Sequence, residues 1–364
     1  MEFVCTKCGC RAAADTRKAH CDCGGLWELE FRPPRFDLGE VDTHEWSMFR
    51  YRRFMALDGE NWRGVTMGEG VTPVVRLDEN VLLKMDYYMP TLSFKDRGAA
   101  VLVAHCKAIG VDRVVQDSSG NAGNSVAAYC AKAGIGCEIF VPEGTSPKKI
   151  DMIRAHGAVC TVVPGSRDHC ADVCRAKVEQ EGVYYANHVY NPFFYEGTKT
   201  YIYETFEQLG RIPANIVIPT GNGTLFLGAI RALEHLLESG VIDSMPQIIA
   251  LQSQNCDPLL RAAAHGESEP ETVTPTPTIA EGIAIGKPMR GHEILSLAKK
   301  HHVRFVHAPE AQILSARAAL ARKGVYCEHT TAANYAAYLE YCRIYGQTPD
   351  TLITMCGAGL KSDH

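Results

Sequence analysis

The chain has 364 residues, 46% hydrophobic and 22% charged, which is ordinary globular usage with room for two medium-sized cores. A formal net charge of -5 supplies no basic field for phosphate backbones or anionic lipid, so the expected partners are small molecules, with nucleic acid and membrane excluded. No apolar run nears the roughly 18 residues of a membrane span, and the opening "MEFVCTKCGC" has neither the apolar core nor the cleavage site of a signal peptide, so a cytoplasmic location is expected.

In chain order, the first feature is a set of four cysteines, Cys5, Cys8, Cys21 and Cys23, spaced C-x2-C-x12-C-x-C, with two glycines after the last pair. Two tight cysteine turns facing each other across short strands let four thiolates surround one tetrahedral ion, so residues 1–32 are expected to form a zinc ribbon. Four cysteines leave no open ligand position, and the zinc would be structural. Cys10 is a nearby spare, and loss of the metal with free thiols is the alternative. The chain holds fifteen cysteines in all. The others lie within apolar helix and strand patterns with no export signal, so most are expected to be reduced core residues rather than disulfides.

At residues 89–100, "MPTLSFKDRGAA" places Lys95 between a proline-led turn and a long apolar stretch, where an ordinary surface lysine could also sit. From about residue 81 short β-branched runs alternate with amphipathic ones: "DRVVQ" then "NAGNSVAAYCAKAG", "CEIFVP" then "SPKKIDMIRAHG", "AVCTVVP" then "DHCADVCRAKVEQEG". A second series runs from "NIVIPTGNGTLFLGAIRALEHLL" through "QIIALQS" to "TLITMCGAG". Strands alternating with helices of this length predict an α/β fold with parallel sheets covered by helices on both faces. Between them "GESEPETVTPTPT", residues 266–278, reads as a surface loop.

Three glycine-rich turns follow strand-like runs. "DSSGNAGNS" follows "DRVVQ", "PTGNGTLFLG" follows "NIVI", and "MCGAGLK" follows "TLIT". Small residues at a strand-to-helix junction let backbone N–H groups converge at a helix N-terminus, where the partial positive charge attracts a carboxylate or phosphate. Packing alone also favours glycine there, but two such cradles in one chain point to a bound anion. A dinucleotide would want G-x-G-x-x-G, and Phe226 occupies the third glycine's place, so NAD is not expected. Ligands of open α/β sheets collect at the carboxyl ends of strands, where all three turns lie.

The motifs "SFKDRG", "SSGNAG", "GNGTLFLG", "TIAEGI" and "GAGLK", in this order, resemble the fold-type II pyridoxal-phosphate enzymes, most closely threonine synthase. "GEGVTP" (68–73), "NPFFYEGTKT" (191–200) and the cysteine ribbon match the same family, so the likeness spans about the whole chain. It implies two three-layer α/β/α domains: a large cofactor-binding domain from residues 33–95 and 210–364, and a small mobile domain from 96–209. Lys95 would form the Schiff base with the cofactor and, once released, move the substrate's protons. Burial and the helix start just beyond it would lower its pKa and free a nucleophilic amine. Asn121 would meet the pyridine ring oxygen, and Ser118, Ser119, Gly120 and Ala122 would receive the substrate carboxylate. Gly221, Asn222, Gly223 and Thr224 would hold the cofactor phosphate, and Glu281 would line the pocket. A homodimer is also in keeping with the resemblance.

Two positions depart from the pattern. Phe194 stands where threonine synthases carry an arginine for the phosphate of O-phosphohomoserine, and a phenyl ring cannot replace a bidentate guanidinium. Cys356 stands where a threonine would face the pyridine nitrogen, as in some serine and threonine dehydratases. The expected activity is threonine formation from O-phosphohomoserine by elimination and water addition. The alternatives are a β-elimination or β-replacement enzyme on serine, threonine or phosphoserine, of dehydratase or cysteate-synthase type, and a cofactor-binding scaffold without catalysis.

Overall fold

The alternating pattern resolves into parallel strands joined by helices. The computed structural model describes residues 1–57 and 59–361. It divides into two compact units, Met1–Glu69 with Lys95–Thr198, and Gly70–Phe94 with the chain from Lys199 onward.

The first unit opens with β1 (Glu2–Cys5), β2 (Arg11–Ala13) and β3 (Trp27–Glu30), an antiparallel sheet in the order β2-β1-β3. Its alternation puts Phe3 and Trp27 on the buried face, stacked at 6.0 Å. The second unit contributes the next two strands, β4 (Val74–Arg76) and β5 (Val81–Lys84). The chain then returns to the first unit for α1 (Lys95–Ala108), β6 (Arg113–Gln116), α2 (Asn121–Ala133), β7 (Gly136–Pro142), α3 (Pro147–Ala155), β8 (Val159–Val163), α4 (Arg167–Glu181) and β9 (Tyr184–Tyr185). These four strands form a parallel sheet in the order β8-β7-β6-β9. One core cluster gathers Val115, Phe140, Cys170 and Cys174, and another gathers Ala127, Ile139, Val141 and Ile153. The cysteines outside the cluster of Cys5, Cys8, Cys21 and Cys23 are free thiols, most of them buried, as their apolar settings imply.

The division between the units falls within α5 (Phe193–Leu209). The second unit continues with β10 (Asn215–Pro219), α6 (Thr224–Glu238), β11 (Gln247–Ser253), α7 (Pro258–His265), α8 (Gly291–Lys300), β12 (Arg304–Ala308), α9 (Glu310–Arg322), α10 (His329–Tyr345) and β13 (Thr351–Thr354). Its six strands run β12-β11-β10-β13-β5-β4, parallel except for the short edge pair β4–β5. Small residues on α10, Ala332, Ala333, Ala336 and Ala337, pack in one cluster with Val217, Ile249 and Ile353 of the central strands. Residues 266–278 form no helix or strand. Among the described residues no helix is long and apolar enough to cross a membrane.

The "GEGVTP" stretch is held by buried carboxylates. In the first unit Glu69 accepts from Met67 N–H (2.9 Å), Thr66 Oγ1 (3.0 Å) and Tyr129 Oη (2.9 Å), and burial holds its carboxyl above the usual range. In the second unit Glu204 accepts the N–H groups of Val71 and Thr72 at 2.8 and 2.6 Å and pairs with buried Lys84. Val71 has φ +50°, a left-handed angle that costs a β-branched residue energy, and the charged Glu204 bond offsets that cost.

Candidate active site

Each parallel sheet has one point where the strand order reverses. In the first unit the chain leaves β6 toward β7 on one side, while β9 pairs on the other; in the second it leaves β10 toward β11, while β13 pairs opposite. Ligands of open α/β sheets bind at the carboxyl ends of strands at such switch points. Every candidate residue from the sequence except Lys95, Phe194, Glu281 and the ribbon cysteines lies just past one of these strand ends.

In the first unit Lys95 opens α1 and is half-buried, whereas residues 96–106 of the helix are buried throughout. A buried hydrogen bond from Ser125 Oγ to Asp96 Oδ1 ties the start of α1 to the first turns of α2. This sets the start of α1, which Lys95 opens, beside the helix that follows the turn at residues 118–122. The turn needs Gly123, because a Cβ there would lie 1.8 Å from the Ser118 carbonyl oxygen. At Gly120, the residue before α2, a Cβ would meet nothing within 4 Å, so the mouth of the turn is open. The Asn124 Oδ1 atom is buried without a partner in the same turn.

Phe194 is fully buried, with Lys95 Nζ 5.7 Å from its ring centroid. Gly98 makes room for it: a Cβ there would come within 2.3 Å of the ring. Past the ends of β6 and β9 lie residues that the sequence reading passed over. Asp117 accepts from Tyr185 Oη (2.6 Å) and Asn187 Nδ2 (2.8 Å), and Gln116 Nε2 donates to the Ala186 carbonyl at 3.0 Å. His188 packs edge-on against Phe194, ring centroids 5.7 Å apart. The two-residue strand β9 is too short to show alternation, so the only available signal was the nearness of "NHVY" to "NPFFYEG".

In the second unit Gly223 precedes α6 with φ +76°, and Thr224 is buried at the helix start. Among the described residues nothing accepts the N–H groups of Gly221, Asn222 or Gly223, a set of donors suited to an anion. A Cβ at Gly221 would lie 3.1–3.3 Å from Ile285, Ile283 and the Gly282 carbonyl, so the "AEGI" segment closes over this turn. Glu281 itself is exposed, opening a 3-10 turn whose Gly282 N–H donates to Thr330 Oγ1 at 3.0 Å. Beyond β13 the Cys356 thiol is buried 3.6 Å from Asn334 Nδ2. The Cys356 carbonyl accepts the N–H of Phe94 at 2.9 Å, which pins the residue that precedes Lys95 along the chain. A cradle of free donors and an open turn mouth are features that a phosphate and a carboxylate would fit.

At the amino terminus the sulfurs of Cys5, Cys8, Cys21 and Cys23 all lie within 4.8 Å of one another. The Cys5–Cys23 and Cys8–Cys23 separations are 3.4 Å and Cys8–Cys21 is 3.7 Å. A tetrahedron with metal–sulfur bonds of about 2.3 Å has edges of roughly 3.8 Å, whereas a disulfide would need about 2.05 Å. The spacing therefore suits a metal ion and not a cross-link. Burial pushes the Cys5 thiol up, but N–H groups of Cys8 and Lys7 outweigh it and bring the thiol to about 6. Gly25 lets the second cysteine turn approach, since a Cβ would sit 2.5 Å from Cys5 Sγ. Cys10 is exposed and stands outside the cluster.

The model of the family described as "Pyridoxal-phosphate dependent enzyme" matches residues 65–357. The chain belongs to this family. The threonine synthase of Methanocaldococcus jannaschii is 28% identical to this pyridoxal-phosphate enzyme over 347 residues, covering 91% of this chain and 85% of that one. The threonine synthase of Mycobacterium leprae is 31% identical over 291 residues, covering 78% and 79%. The fold is also that of the processed form of threonine deaminase isoform 2 from Solanum lycopersicum, with TM-score 0.71, 20% identity, and 90% and 86% of the two chains covered. The chain thus has the α/β fold of fold-type II pyridoxal-phosphate enzymes and is a pyridoxal-phosphate-dependent lyase related to threonine synthases.

Proposed function

We propose that the protein is a lyase of threonine synthase type, which eliminates the side-chain leaving group of an amino acid and adds water at the β carbon. O-phosphohomoserine is the substrate that the threonine synthase likeness names. The observation that carries the reading is Lys95, the one half-buried residue at the head of an otherwise buried helix segment, at the place the family motif reserves for its reacting lysine.

Bound cofactor supplies an electron sink for the carbanion formed at the substrate's α carbon. Lys95 would hold it covalently and, when released, carry a proton to and from substrate carbon. Asn121 would orient the ring through its oxygen, and the backbone donors from Ser118 to Ala122 would take the substrate carboxylate. The donors of Gly221, Asn222, Gly223 and Thr224 would hold the cofactor phosphate. Cys356, a neutral thiol, would face the ring nitrogen without forcing a proton onto it, and Phe194 and Glu281 would line the substrate pocket. In this reading residues 33–95 and 210–364 serve mainly the cofactor and residues 96–209 mainly the substrate.

Phe194 favours a second reading, β-elimination or β-replacement on serine- or threonine-like amino acids, because it removes a guanidinium from the leaving group's side. The purified enzyme incubated with O-phosphohomoserine, threonine, serine and phosphoserine separates the two: phosphate release with threonine formation supports the first, and keto acid from serine or threonine the second. Lys95→Ala should leave the protein folded and colourless, with no borohydride-reducible adduct. An adduct retained in Lys95→Ala would remove Lys95 from its role, and a normal adduct with no turnover of any amino acid would leave a cofactor-binding scaffold.

Residues 1–32 are read as a ribbon around one structural zinc held by Cys5, Cys8, Cys21 and Cys23. Metal analysis should find about one zinc per chain. Replacing Cys5 and Cys8 by serine should remove it while the Lys95 adduct still forms. Zinc-free protein with unchanged thermal stability would contradict this assignment.

A further inference from the structure

We propose that Asn334 is a positioning residue for the cofactor ring: it donates to the Cys356 sulfur and so turns the proton of that thiol toward the ring nitrogen. The inference rests on Cys356 facing the ring, the role proposed for it above, and adds what sets the direction of its proton.

The sequence gives the first sign. Asn334 stands in α10 beside Ala332, Ala333, Ala336 and Ala337, which pack into the core of the second unit. A fully buried asparagine has weaker helix propensity than those alanines and an amide to satisfy, so an apolar residue would stabilise this helix more. Its satisfaction is incomplete. Nδ2 donates to the Thr354 carbonyl at 2.6 Å, which also assigns the amide nitrogen, while Oδ1 is buried without a partner. An amide kept at that cost is expected where its donor does something that packing does not.

The same Nδ2 lies 3.6 Å from the Cys356 sulfur, within reach of its second hydrogen. Helix α10 holds the backbone of this turn as well. Thr331 lies one helical turn before Asn334, on the same face, and its Oγ1 accepts the Gly357 N–H at 2.8 Å. The Cys356 carbonyl in turn accepts the Phe94 N–H at 2.9 Å. With the backbone held on both sides, the freedom left to Cys356 is rotation about its Cα–Cβ bond, and the Asn334 donor selects among those positions.

A thiol carries one proton. An N–H aimed at the sulfur leaves the S–H bond pointing away from Asn334. The Thr354 carbonyl is a poor acceptor for it, because it lies 3.9 Å from the sulfur and already receives Asn334 Nδ2 at 2.6 Å. The thiol is thus set to donate, and a ring nitrogen that accepts from it carries no proton of its own.

The test uses the holoenzyme loaded with pyridoxal phosphate that is isotopically labelled at its ring nitrogen, read by nuclear magnetic resonance. The unaltered protein should show a ring nitrogen that is unprotonated and hydrogen-bonded. Cys356→Ala should move the signal downfield, toward that of an unbonded pyridine. Asn334→Leu, similar in size but without a donor, should move it the same way by part of that shift, and should add nothing when combined with Cys356→Ala. Asn334→Ser, too short to reach the sulfur but smaller and polar, should reproduce the shift if leucine prevents folding. An unmoved signal in Asn334→Ser beside a clear shift in Cys356→Ala overturns the proposal. So does a further shift in the double variant, or a protonated ring nitrogen in the unaltered protein. If Cys356→Ala itself leaves the signal in place, the thiol does not face the ring, and the role of Cys356 fails together with that of Asn334.

Discussion

The two glycine turns that lead into α2 and α6 look alike in sequence but use glycine for different reasons. In the first unit Gly123 sits inside the helix start with no unusual φ, and what it provides is proximity: the Ser118 carbonyl lies where a Cβ would be. In the second unit Gly223 provides a left-handed backbone, φ +76°, that turns the chain into α6. The first turn folds onto itself and leaves its mouth at Gly120 open; the second is covered from outside by Ile283 and Ile285. A turn with an open mouth suits a ligand that comes and goes, such as a substrate carboxylate. A covered turn suits a group that stays, such as a cofactor phosphate.

Substitutions to alanine at these glycines can break the comparison. The largest effect is expected for Gly123→Ala, where the new methyl would overlap a backbone carbonyl that cannot yield without remaking the turn. A loss of about 3 kcal/mol or more is expected, seen as a lower urea midpoint and as failure of amino-acid binding. Retained stability would mean that the turn and helix are not packed as described.

Gly223→Ala should cost less, about 1–2 kcal/mol for the left-handed angle, because the nearest atom to the new methyl is the flexible tip of Ile294. Here the diagnostic is cofactor retention, measured by equilibrium dialysis: the phosphate cradle should weaken while the amino-acid turn stays intact. Equal loss of both functions would remove the distinction between the two turns.

The smallest effect on stability is expected for Gly120→Ala, within about 0.5 kcal/mol, since a Cβ there meets open space and the residue has an ordinary extended φ of -98°. Its use is to sharpen the assignment. If the mouth receives the substrate carboxylate, glycine binding should fall severalfold with the urea midpoint unchanged. Unaltered binding would place the carboxylate elsewhere.

Much of this enzyme was legible before folding because its signals are local. The strand–helix period, the three glycine turns and the spacing of Cys5, Cys8, Cys21 and Cys23 are properties of neighbouring residues, set by backbone sterics and side-chain reach over a few positions. Motif order extended that to the family. Strand order, the switch points and the pairing of β4 against β5 were not legible, since any of several orders would bury the same β-branched runs. His188 shows the consequence. It is 93 positions from Lys95 in sequence and follows a two-residue strand with no pattern of its own. Only the placement of β9 beside β6, and of Phe194 in the gap left by Gly98, brings that histidine against Phe194. The sequence by itself determined which segments are strands, helices and glycine turns, because those follow from short-range geometry. Which distant side chains meet at the lysine was decided by tertiary structure, because sheet order and close packing depend on all the segments at once.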